Sequence, residues 1–185
     1  MTTRNKYSPK STSLEFQSTA IARLKDKNYG AIFYEQGLGK TKIAIDLLLH
    51  WINIKAVDKV FIIVKKNLIN NWYEELKKHS FILADILTNK KNINTNIFLS
   101  KANVIILSYE LIVKEFDRLE NQSKTHLTGI ILDESAKIKN PNSIISQKLH
   151  HLAKFFNRKI IMTGTPSTNR PEDYWSQIYF LDKGK

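Results

Sequence analysis

The 185-residue chain contains no cysteine. Disulfide frameworks, thiolate zinc sites and cysteine nucleophiles are therefore excluded. Proline occurs four times and glycine six, too few for a collagen-like or Gly/Pro-rich linker segment, and no internal repeat is present. No apolar run approaches the ~18 residues that a membrane-spanning helix requires, and residues 1–10 are polar with no signal-peptide core behind them. Acid is also short, with 17 Asp and Glu against 29 Lys and Arg and a net charge of +12.

The remaining composition is that of a globular protein. Hydrophobic residues make up 42% and charged residues 25%, so the excess base sits on a folded body and not on a disordered tail. The length suits one domain with a real core and leaves no room for two lobes of ~150 residues each. A basic surface points to a polyanion, because lysine and arginine release counterions from a phosphate backbone. The base is mostly lysine, alongside abundant Asn and Ile, a pattern that A/T-rich coding bias also produces.

Short β-branched runs recur along the chain at 31–34, 60–64, 104–107, 130–132 and 159–162. Such runs without polar alternation suit strands covered on both faces, as in a parallel sheet. Stretches with helical spacing lie before and between them, at 14–25, 40–52, 68–79, 109–119, 143–156 and 174–181. The alternation predicts an α/β fold with a doubly wound parallel sheet, whose ligands bind beyond the carboxyl ends of the strands. Residues 88–101, rich in Asn and Lys, read as a surface connection, and residues 1–13 as a flexible N-terminal segment ahead of a single lobe spanning 14–185.

Three strand ends carry the chemistry. After the first run comes Gln36-Gly37-Leu38-Gly39-Lys40-Thr41 and then an apolar helix. The glycines let successive N–H groups turn around a phosphate, Lys40 offers a point charge, Thr41 offers a hydroxyl to Mg²⁺, and the helix N-terminus adds its dipole. Tyr34 stands where the general phosphate-loop signature has glycine. The fourth run ends in Asp133-Glu134, one carboxylate for magnesium and one to polarise water. The fifth runs into Thr163-Gly164-Thr165-Pro166, a stiff polar turn able to hydrogen-bond the acidic pair. Gln17, upstream of the phosphate loop, has an amide that could read a purine edge. The five histidines lack metal-ligand spacing, and Trp51, Trp72 and Trp175 read as packing anchors.

These motifs, together with Asn71-Trp72-Tyr73-Glu74-Glu75, Ser108-Tyr109-Glu110, Ser135-Ala136-Lys137-Ile138-Lys139-Asn140, Asn169 and Trp175, resemble the Swi/Snf-type branch of superfamily 2 helicases. Their order matches the first RecA-like lobe of those double-stranded DNA translocases, from about Leu14 to Leu181. The resemblance implies a three-layer P-loop NTPase lobe that uses ATP and Mg²⁺. Gln17 would read adenine; Gly37, Leu38, Gly39, Lys40 and Thr41 would hold the phosphates; Thr41 and Asp133 would meet magnesium; Lys40, Asp133 and Glu134 would be catalytic. Thr163, Gly164 and Thr165 would couple hydrolysis to movement. Lys65, Lys66, Asn67, Ser108 and Tyr109 would face DNA, with Lys137 and Lys139 adding to that track.

The resemblance also implies a second RecA-like lobe, in cis or in trans, that supplies an arginine finger, so that this chain alone would hydrolyse ATP slowly or not at all. Arg170 lies near the third turn without an assigned role. Two departures stand out: Ala136 occupies the place of a histidine that links motifs in relatives, and Lys65 replaces a frequent proline. The expected setting is cytoplasmic, in a bacterial, phage or viral context, with the nucleus open. The alternatives are a lobe of an RNA or restriction-type helicase, or a lone module that binds DNA or a partner without motor activity.

Overall fold

The structure, a computed structural model, describes residues 6–166 and 172–183. Asn169, Arg170 and the first five residues of the segment expected to be flexible lie outside the described residues. Six strands, β1 (Tyr29–Ile32), β2 (Lys59–Val64), β3 (Ala84–Ile86), β4 (Val104–Ser108), β5 (Thr128–Asp133) and β6 (Arg158–Met162), form one sheet in the order β1-β6-β5-β2-β4-β3. Every pairing is parallel. The eight helices among the described residues are α1 (Glu15–Leu24), α2 (Lys40–Asn53), α3 (Ile69–His79), α4 (Lys91–Leu99), α5 (Tyr109–Lys114), α6 (Phe116–Thr125), α7 (Ile144–Leu152) and α8 (Glu172–Asp182).

The period-2 alternation of the strands divides their apolar side chains between two cores. Val60, Ile62, Ile106, Ile131 and Ile160 join α2 and α3 residues such as Ile43, Leu47, Trp51 and Trp72 on one face. Phe61, Ile63, Ile105, Ile130 and Ile161 join Tyr109, Ile112, Leu149 and Phe180 on the other. The result is the expected α/β/α sandwich, and the wholly buried β2, β4 and β5 explain why their sequences show continuous apolar runs.

The register matters for the site. Ile32 pairs with Met162, and Met162 with Asp133, so the last residues of β1, β6 and β5 form one row across the sheet. Whatever follows these three strands emerges side by side at one edge.

Two local readings are corrected. The polar stretch 88–101 contains helix α4, and the expected single helix over 109–119 breaks at Glu115. One side chain organises both changes. Asn94, fully buried, donates to Thr88 O at 2.8 Å and to Glu115 Oε1 at 2.9 Å, and accepts from Thr88 N at 2.9 Å. A buried, fully partnered asparagine has no apolar signature, which conceals the inward face of α4 from a hydropathy reading. Residues 10–13 also make defined contacts: Lys10 N donates to His79 O, and Ser13 Oγ donates to Asp46 Oδ2.

Candidate active site

The loop between β1 and α2 turns on two glycines with positive φ, Gly37 at 84° and Gly39 at 69°. Gly39 caps α2 in a left-handed conformation that selects glycine, and a Cβ there would also displace the Gln17 amide. The first N–H groups of α2 have no intrahelical acceptor and make an anion-favouring end. Lys40, 8% exposed, folds back over the loop and donates to Tyr34 O at 2.8 Å and Glu35 O at 2.9 Å. Thr41 follows it, half-buried at the mouth.

Asp133 ends β5 and is buried. Its Oδ2 accepts from Trp72 Nε1 at 2.7 Å and its Oδ1 from Glu134 N at 2.9 Å. Burial, reinforced by the Glu134 charge, raises the Asp133 carboxyl above the usual aspartate value, against the opposing effects of the Trp72 and backbone hydrogen bonds and of Lys40. Glu134 adopts φ 52° and ψ 54°, a left-handed backbone rare for a side-chain-bearing residue. This turn carries its carboxylate toward β6, where Thr163 Oγ1 donates to Glu134 Oε2 at 3.2 Å. Thr163 is fully buried; its backbone N donates to Ile32 O and its Oγ1 accepts from Thr165 N at 3.1 Å. A Cβ on Gly164 would lie 3.6 Å from Lys40 Nζ.

The structure therefore brings the phosphate loop and the acidic pair together around a cavity of ≈ 500 Å³, which Gln17 and Met162 also line, with the third turn behind it against Glu134 and Lys40. That size falls within the range of small-molecule sites. Gln17 is buried, with Oε1 accepting from Leu14 N at 3.0 Å and Nε2 reaching Leu38 O at 3.4 Å. Gln36 and Lys42, with Ser11, Thr12 and the α3 residues Glu75, Lys78 and His79, complete the lining, a role the sequence alone assigned to none of them.

Gln177 of α8 joins the acidic motif to the third turn where the histidine is missing. It accepts from Ser135 Oγ at 2.6 Å and donates to Pro166 O at 2.7 Å. The change at 136 thus leaves the two motifs connected through the preceding serine.

Of the residues assigned to a DNA track, Lys65, Lys66, Asn67, Lys137 and Lys139 are exposed in the turns after β2 and β5. Tyr109 is corrected: it is wholly buried, and its hydroxyl donates to Asp133 O at 2.8 Å, so it supports the acidic strand end and cannot face a ligand track. Burial and the two nearby carboxylates push its phenol well above the usual tyrosine value. Ser108 is also buried; its hydrogen bond to Glu110, aided by the fields of Lys137 and Lys66, holds that exposed carboxyl below the usual glutamate value. Trp51 and Trp72 pack in the core as expected, whereas Trp175 is 54% exposed and stacks on Tyr179 at 4.8 Å between centroids.

A parallel sheet with a glycine loop on a helix N-terminus, a strand-end acidic pair and a hydroxyl turn beside it is a doubly wound α/β lobe with its polar turns gathered beyond the carboxyl ends of the strands, where such folds bind ligands. The chain belongs to the SNF2-related domain family, matched over residues 15–185. It is 31% identical over 164 residues to the ISWI chromatin-remodeling complex ATPase ISW1 of Saccharomyces cerevisiae, which covers 85% of this chain and 14% of that protein. It is 30% identical to the human DNA annealing helicase and endonuclease ZRANB3, covering 91% of this chain and 16% of that one. The Sulfolobus solfataricus SWI2/SNF2 ATPase core in complex with dsDNA superposes with a TM-score of 0.79 at 22% identity, covering this whole chain and 38% of that one. The chain thus spans about one seventh of the curated relatives' length. Relatives from yeast and human lend no support to the expected bacterial, phage or viral setting. Among the described residues no helix is long and apolar enough to cross a membrane.

Proposed function

We propose that this chain is the ATP-binding lobe of a DNA-dependent ATPase motor whose track is duplex DNA. The observation that carries the reading is the junction of three adjacent strand ends, where Lys40 lies over the phosphate loop and Thr163 holds Glu134 beside it. On nucleotide binding Lys40 exchanges the Tyr34 and Glu35 carbonyls for phosphate oxygens, a stronger, charge-assisted pairing. Loop N–H groups from Gly37 to Thr41 take the remaining oxygens. Gln17 reads the base edge by giving up its long contact to Leu38 O.

Thr41 and Asp133 would hold Mg²⁺; two hard oxygen donors suit it, since it is usually bound by one or two carboxylates plus phosphates and waters. When bound, the ion neutralises phosphate charge. Glu134 orients and deprotonates the attacking water, with Thr163 fixing its carboxylate. The arginine that stabilises the transition state comes from a second RecA-like lobe, and such an arginine is worth ~10³-fold or more in rate. The exposed Lys65, Lys66, Asn67, Lys137 and Lys139 lie along neighbouring strand ends and meet the DNA backbone.

The test is ATP hydrolysis by the intact motor containing this lobe, measured with duplex DNA, single-stranded DNA and RNA. Stimulation by duplex DNA that vanishes in Lys40→Ala is expected. Stimulation by RNA alone would transfer the lobe to an RNA helicase, and no stimulation by any nucleic acid would reject the motor reading.

A further inference from the structure

Asp133 is gripped from both helical layers. Trp72 of α3, in one core, donates Nε1–H to its carboxylate at 2.7 Å, and Tyr109 of α5, in the other core, donates its hydroxyl to its carbonyl at 2.8 Å. The donors are 1% and 0% exposed, so neither bond competes with bulk water. Trp51 supplies the internal contrast. It too is fully buried, yet among the described residues its Nε1 has no hydrogen-bond partner, so this core accommodates an indole for packing alone. The Trp72 indole is aimed at a particular oxygen, where a phenylalanine would fill much of the same space without a donor.

We propose that Trp72 is a positioning residue for the magnesium carboxylate: its indole N–H fixes the side-chain rotamer of Asp133, leaving the acidic strand end preset beside the phosphate loop. This rests on the nucleotide reading above. With Oδ2 tied to Trp72 and Oδ1 to Glu134 N, the carboxylate plane is set before any ligand arrives, and each oxygen of this cavity-lining residue keeps further acceptor capacity. Partners behind a ligating carboxylate orient it in this way, and their removal commonly lowers metal affinity 10–100-fold. Tyr109 secures the backbone of the same residue, so strand end and side chain are held independently.

The experiment titrates ADP into the 185-residue chain and its Trp72→Phe variant by calorimetry, once with Mg²⁺ and once with EDTA. The gain in affinity that Mg²⁺ provides is expected to fall about tenfold or more in the variant, while affinity in EDTA stays unchanged. Equal losses in both conditions would show a merely structural role, and an unchanged magnesium gain would show no role; either overturns the inference. A second readout requires no variant to bind: the Trp72 indole N–H resonance, assigned by its absence from Trp72→Phe, moves when Mg²⁺ and ADP are added to the wild-type chain. A resonance that stays fixed while the Gly37 and Gly39 amides shift overturns the inference and leaves the nucleotide reading standing. No ADP binding by the wild-type chain would defeat that reading, and the inference with it.

Discussion

Thr163 Oγ1 donates a 3.2 Å hydrogen bond to Glu134 Oε2, joining the turn after β6 to the carboxylate after β5. The bond spans two motifs that lie 29 residues apart in sequence, and the strand order makes them neighbours. In the proposed mechanism it couples a backbone turn to the carboxylate assigned to the attacking water. Displacement of the turn is therefore expected to alter the orientation of Glu134.

Replacing Thr163 with valine preserves shape and removes the hydroxyl. Glu134 loses its fixed orientation, and hydrolysis in the intact motor is expected to fall about tenfold, equivalent to ~1.4 kcal/mol. Nucleotide affinity is unchanged, because no phosphate-loop donor is altered. Single-turnover hydrolysis beside an equilibrium binding titration separates the two effects.

Charge reversal of Lys66 or Lys137 is expected to weaken duplex DNA binding at every sequence alike and to reduce the slope of log affinity against log salt by about one for each phosphate no longer neutralised. Tyr109→Phe tests the corrected assignment. With its hydroxyl buried against Asp133 O, the variant loses about 1 kcal/mol of stability and leaves the salt slope untouched. Fluorescence anisotropy over a salt series and a urea melt provide the two measurements.

Acid should destabilise the fold through His150 and His79. Burial, first among the causes in each case, lowers both imidazolium groups below the usual histidine value. His150 donates to Ser176 O at 2.9 Å, a bond the neutral ring already makes. The folded state thus resists a proton that the unfolded chain accepts near its ordinary value of ~6.5. Stability is complete above that pH and declines as pH falls below it toward the lowered folded values. Thermal midpoints at pH 7.5 and 5.5 should differ, and His150→Gln, which retains an N–H donor, should narrow the difference.

Five of the six strands and the three chemical turns were legible because buried parallel strands announce themselves as apolar runs, and because glycine, lysine and paired carboxylates have few other reasons to follow them; the short, half-buried edge strand β3 gives no such run. Polar residues turned inward also escaped. Asn94 hid α4, and Gln177 hid the bridge between Ser135 and Pro166, since neither amide marks burial in sequence. Trp72 and Tyr109 were visible as aromatics, but only the pairing of β5 with its neighbours and the helices above them shows that both reach Asp133. The family resemblance implied a DNA contact at Ser108-Tyr109, whereas the start of α5 turns the tyrosine ring into the core.

The central claim is that Lys40, Thr41 and the Asp133-Glu134 pair form one Mg²⁺-dependent nucleotide site. Calorimetric titration of ATP into the 185-residue chain, with and without Mg²⁺, against its Lys40→Ala variant tests it most directly. The account predicts saturable binding that Mg²⁺ strengthens and that Lys40→Ala abolishes while leaving the circular dichroism spectrum intact. Binding of equal strength in wild type and variant would contradict it, as would a wild-type chain that takes up no nucleotide.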